Sequence, residues 1–166
     1  MNWLDLPLMG AVRRNHALEH ATLNVLTERL PGLRLVGRSD WGGFTLYGAA
    51  STQDVADAVV AALDRLRSGE SALAIHPRCG TNLATGMVLT GLVTYGALGG
   101  RRKAWWRKAL QLATGLAVVA AVTPSLGLRM QEHVTTSADV EGLRVMDVLR
   151  REAGAVVMHR VTTRQG

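Results

Sequence analysis

Two stretches without a charged side chain, Gly80–Gly100 and Ala109–Leu128, constrain this chain more than any other feature. Each holds about 20 mostly apolar residues, the length a helix needs to cross a hydrocarbon core roughly 30 Å thick. In a chain of 166 residues, two such helices leave too little polar surface to bury both in a water-soluble fold. The sequence therefore predicts an α+β domain packed against a two-helix transmembrane hairpin. The expected regions are an α+β domain over 1–81, the hairpin over 82–128, and a C-terminal α/β tail over 129–166 that completes the domain. The expected location is the cell membrane, multi-pass, with the lipid bilayer as first partner.

The formal net charge of +6 sharpens when it is divided by region. Residues 1–81 carry eight basic and eight acidic side chains, and residues 129–166 carry six and five. The turn at 101–108 holds Arg101, Arg102, Lys103, Arg107 and Lys108 with no acid. A basic patch confined to such a turn suits anionic lipid headgroups rather than nucleic acid, so no nucleic-acid partner is expected. Trp105 and Trp106 fit the same place, since indole rings favour the membrane interface.

Sidedness draws two opposite demands. A basic turn belongs in the cytoplasm, which would put the N-terminal domain outside. Exporting that domain calls for a signal, and the first ten residues contain Asp5 and no basic start before an apolar run. Orientation therefore stays open at this stage. A single cysteine, Cys79, excludes an internal disulfide.

Pro7 suits the first turn of a helix over 7–29, which Pro31-Gly32 would end. Leu18, Ala21 and Val25 share one of its faces, and His16 and His20 lie roughly opposite. Leu23 lies near the histidine side, so burial on more than one side is expected. Leu33–Val36 and Phe44–Tyr47 read as a β-hairpin around a glycine- and aspartate-containing turn. Ser51 reads as the N-cap of a helix to about Leu66, with Asp54 in its first turn and Val55, Val59, Ala62 and Leu66 at helical spacing. Ala72–Ile75, Val134–Thr136 and Ala155–Val161 read as extended, and Leu143–Arg151 as helical. In the apolar stretches, Gly96 with Gly100, and Ala113 with Ala117 and Ala121, recur every four residues. Small residues at that spacing predict close approach of two helices. A homo-oligomer is also among the expected partners.

Residues 16–20 read H-A-L-E-H. On a helix, positions four apart share a face, so His16 and His20 can offer two imidazoles to one metal ion. Neutral imidazole suits zinc, and zinc lowers the pKa of a bound water to about 7. Glu19, nearly one turn after His16, is placed to take a proton from that water. The pattern resembles the H-x-x-E-H motif of the inverzincins, which implies His16 and His20 as ligands and Glu19 as general base. The resemblance stops there, because no position matches the distant glutamate ligand of those larger proteases. His76 is the strongest candidate for a third ligand, followed by Cys79 and His133, since a hairpin returns the chain to the side it left. The bland reading of these residues is helix capping and pairing, with Cys79 a small buried hydrophobe and His159 an ordinary half-buried side chain.

The stretch R-N-H-A-L-E-H-A-T at Arg14–Thr22 resembles the opening of a family of small bacterial membrane proteins described only as a domain of unknown function. H-P-R-C-G-T-N at His76–Asn82 and T-T-S at Thr135–Ser137 are similar to the same family. The resemblance spans most of the chain and implies a shared architecture without an activity. The expected function is a membrane-anchored metal-binding protein with zinc as cofactor, extending to a zinc-dependent peptidase acting on a peptide or membrane-protein substrate. The alternative is a non-catalytic membrane scaffold or assembly factor. A third reading places haem or copper on the two histidines.

Overall fold

A computed structural model describes residues 6–99, 104–154 and 156–166. The elements run α1 (Pro7–Arg29), β1 (Val36–Asp40), β2 (Gly43–Tyr47), α2 (Thr52–Arg67), α3 (Gly80–Leu98), α4 (Trp105–Met130), β3 (Arg144–Ala153) and β4 (Val156–Arg164). A 3-10 turn covers Ser71–Ala74, and a π-type turn covers Gln131–Thr135. The chain forms two compact units, one from Met1–His76 with Glu132–Gly166 and one from Pro77–Gln131.

The first unit is a mixed α+β layer pair. Its four strands form one antiparallel sheet in the order β1-β2-β4-β3, so the C-terminal hairpin is built onto β2. Phe44, Leu46 and Val161 point from the sheet into the core. Leu18, Ala21 and Val25 meet them from α1, and Val55, Val59, Ala62 and Leu66 from α2. Helix α1 begins at Pro7, where the absent N–H costs nothing, and it buries residues on several sides, Leu23 and His20 included. Helix α2 is capped by Ser51, whose hydroxyl oxygen accepts the Asp54 N–H at 3.0 Å.

Polar ties fix α1 to the sheet. Buried Asn15 donates to the Asp40 carbonyl at 2.8 Å, and its side-chain oxygen accepts the Thr163 hydroxyl at 2.7 Å. On the other face of the sheet, Arg160 grips the Asp40 carboxylate through both terminal nitrogens at 2.7 and 2.8 Å. That guanidinium holds the Asp40 carboxyl below the usual carboxylate range.

Several local expectations change. β1 begins at Val36 rather than ending there, and its turn with β2 shrinks to Trp41-Gly42. Gly43 sits at φ 139°, where a Cβ would strike the Val161 carbonyl, so this edge of the turn requires glycine. Ala72–Ile75 is not a strand, because carbonyls of this segment accept bonds from α1 side chains instead of a ladder. The same holds for Val134–Thr136, which lies in and just after the π-type turn. Leu143–Arg151 is not helical: Arg144–Ala153 pairs along β4, with a bulge between Val145 and Asp147 that blurs its alternation.

The second unit is the antiparallel pair α3 and α4. Small residues do make the contact, but on a different stripe of α4. Gly115 faces Val93, Thr123 faces Gly86, and Gly127 faces Asn82, with Val119 buried between them. The expected Ala113, Ala117 and Ala121 are exposed, a Cβ at Gly96 would meet nothing within 4 Å, and Gly100 lies outside the described residues. The four-residue spacing is right and its phase is two residues off.

The expectation of two membrane spans also narrows. Among the described residues, only the helical stretch Trp105–Thr135 is long and apolar enough to cross a membrane. α3 is diluted by Thr81, Thr85, Thr90, Thr94 and Asn82 along with four glycines. In the apolar window of the longer stretch only 6% of the residues are buried within the protein, unlike the core helix of a soluble fold.

Candidate metal centre

α1 places its polar side chains against backbone carbonyls. Arg13 donates to the carbonyls of His133 and Thr136 at 3.3 and 3.1 Å, and Asn24 to those of Leu73 and Ile75 at 3.1 and 3.3 Å. Between them, His16 Nδ1 lies 2.9 Å from the Thr135 carbonyl oxygen, and His20 Nδ1 lies 2.8 Å from that of Ala74. A carbonyl only accepts, so each Nδ1 carries a proton, and in the neutral ring the lone pair then sits on Nε2. Histidine ligands are commonly oriented in this way, by a carbonyl behind the ring.

The two rings are 4.3 Å apart, as the i, i+4 spacing on one helix face requires. The ring of His76 lies 5.8 Å from that of His20. His20 is fully buried, and His16 and His76 are half-buried. The His20 ring therefore has two imidazole neighbours within the first unit, His16 and His76.

Glu19 is only 4% exposed. Its carboxylate accepts a hydrogen bond from the Ser39 hydroxyl, and it fills space that a Cβ on Gly37 would occupy. Ser39 and Gly37 alternate on β1, so both face α1. Burial pushes the Glu19 carboxyl up, while the Ser39 bond and the charge of His16 pull it partly back. A carboxyl held above its ordinary range is suited to act as a base nearer neutrality.

The remaining sequence candidates have contacts of their own. Cys79 belongs to the second unit, where it caps α3 and its sulfur accepts the Thr81 N–H at 3.3 Å. The His133 imidazole is 70% exposed and lies 3.8 Å from Glu132, while its carbonyl serves Arg13. His159 is fully buried rather than half-buried. Its Nε2 meets the Thr52 hydroxyl at 3.3 Å, and Nδ1 has no hydrogen-bond partner among the described residues. Burial first, and then the charge of Arg150, lower its pKa. Sequence reasoning missed Ser39 and Gly37, for which period-two alternation on β1 was the available signal. It also missed the carbonyls of Thr135 and Ala74, for which residue identity carries no signal at all.

Residues 11–148 match the model of a family described as a domain of unknown function, DUF6391. The chain belongs to that family. A relative from Picosynechococcus sp. PCC 7002, itself described as an uncharacterised protein, is 42% identical over 135 residues. The match covers 76% of this chain and 66% of that relative. No solved structure matches the chain. The DUF6391 match includes the H-A-L-E-H segment, His76 and Cys79, and it ends within β3.

Proposed function

We propose that this member of the family is a membrane-anchored metal-binding protein that holds zinc on His16, His20 and His76. The observation that carries the reading is the pair of imidazoles one helical turn apart, each with Nδ1 tied to a carbonyl from a different segment. Three neutral imidazoles are a sufficient zinc set, and a fourth position occupied by water gives the ion hydrolytic use. Glu19 is then the general base of a zinc-dependent peptidase, with Ser39 holding its carboxylate in place.

The anchoring half of the proposal rests on the apolar surface of the second unit. Leu110, Leu116, Val118 and Val122 of α4, and Leu83, Met87, Val88 and Leu92 of α3, are all exposed. In water that surface would be costly, and in hydrocarbon it is at rest. The finer form of the reading has α3 crossing beside α4, as a two-helix hairpin of a multi-pass protein in the cell membrane.

Elemental analysis tests the metal. Protein purified in detergent without chelators should carry about one zinc per chain, and a His16→Ala/His20→Ala variant should carry almost none. Glu19→Gln should keep the zinc and lose any hydrolysis. Wild-type protein free of metal would end this reading.

A scaffold reading is favoured by one specific fact. The same imidazoles, with Arg13 and Asn24, already hold α1 to the 73–75 and 133–136 segments through carbonyls, a structural role that needs no ion. It predicts a melting temperature indifferent to chelator, whereas a zinc site predicts a fall on chelation.

A further inference from the structure

We propose that the turn end of the α3–α4 pair is a binding surface for anionic phospholipid headgroups, an inference that rests on the membrane reading above. Trp105 and Trp106 are 80% and 51% exposed, and Tyr95 near the end of α3 is 83% exposed. The guanidinium of Arg107 lies 5.1 Å from the centre of the Trp106 ring, a cation–π contact that orients the charge beside the indole. Lys108 reaches back to the Leu98 carbonyl at 3.3 Å, which holds the ammonium at the same end of the pair. Exposed Leu98 and Leu110 flank these groups.

The arrangement is aromatic rings and cations at one level, with apolar side chains next to them. Nucleic acid or an acidic protein would satisfy the cations and leave the leucines and rings in water. A zwitterionic bilayer would take the apolar groups and offer the cations no net countercharge. An anionic lipid surface supplies headgroup charge, interface and hydrocarbon together. The sequence has no acid anywhere from Ser71 to Gln131 to oppose that attraction.

The test uses the full chain with Trp3 and Trp41 changed to Phe, so that Trp105 and Trp106 remain as the only indoles of the original four. The protein is reconstituted into phosphatidylcholine vesicles containing either brominated phosphatidylcholine or brominated phosphatidylglycerol at equal mole fraction. Bromine quenches indole fluorescence on contact, so the ratio of the two quenching curves gives the lipid preference. Phosphatidylglycerol should be favoured by about fivefold or more at low salt, since each basic side chain near the surface contributes about that factor. The preference should fall in 0.5 M salt and in Arg107→Glu, an exposed position in the first turn of α4. Equal quenching by the two lipids would overturn the headgroup assignment while leaving the membrane reading standing. Protein that fails to float with either vesicle would remove the membrane reading itself.

Discussion

At the scale of single residues, Glu19 ties the site to the sheet. Its carboxylate is enclosed between α1 and β1, and the missing side chain of Gly37 provides the room. Gly37→Ala should therefore lower stability by about 1–3 kcal/mol through overpacking, read as a lower denaturant midpoint at unchanged slope. An unchanged midpoint would mean that Glu19 moves aside freely. His159 makes a pH-dependent contribution of known sign. Its folded pKa is below the ordinary value of 6.5, so the unfolded chain takes up the proton first. The neutral buried ring costs nothing above about pH 6.5, and stability is lost as pH falls from there toward the folded pKa. Glu19, with its raised pKa, works in the opposite direction, so the quantity to measure is a difference. Melting temperatures of wild type and His159→Asn should draw apart as pH is changed from 5 to 7, with the wild type gaining more. Parallel curves would remove His159 from the acid sensitivity.

At the scale of elements, helices with strong local signals formed where the sequence places them. α1 starts on Pro7, and α2 starts on its Ser51 cap with its apolar stripe facing the core. Elements whose identity depends on partners did not. Leu143–Arg151 carries leucine, valine and arginine spacing that suits a helix, but pairing with β4 makes it a strand. Ala72–Ile75 looks extended, yet α1 side chains take its carbonyls. The α3–α4 contact is decided in the same way, by which stripe of small residues meets the neighbour. Gly115→Val should open that contact, because its Cβ would collide with Val93. Gly96→Ala should be neutral or stabilising by up to about 1 kcal/mol, since the space is open and alanine favours helix. Thermal unfolding in detergent distinguishes the two, and equal effects would refute the assigned interface.

At the scale of the whole molecule, the distribution of exposed apolar surface separates the units. The first unit gathers its large apolar residues into one core, whereas α3 and α4 leave most of theirs uncovered. Protein expressed with a bacterial membrane should stay in the pellet through an alkaline carbonate wash, as an inserted helix does and a surface-bound protein does not. Release into the wash would reduce the second unit to a surface attachment. Membership of DUF6391 adds a shared architecture at this scale, and the chemistry of the site carries the functional reading.

The sequence by itself determined the features written in local chemistry. These are the helix over 7–29, the capped helix after Ser51, the uncharged stretches and their basic turn, and the adjacency of His16 and His20 through the i, i+4 rule. Tertiary structure alone decided what depends on distant partners. It paired β4 with β2 and turned Leu143–Arg151 into a strand. It set His76 beside His20 and buried Glu19 against Ser39. It also gave each imidazole of α1 its carbonyl. The reason is physical: helix spacing and capping act within a few residues, whereas a backbone carbonyl or a strand edge is the same for every residue type and acquires meaning only from what the fold brings to it.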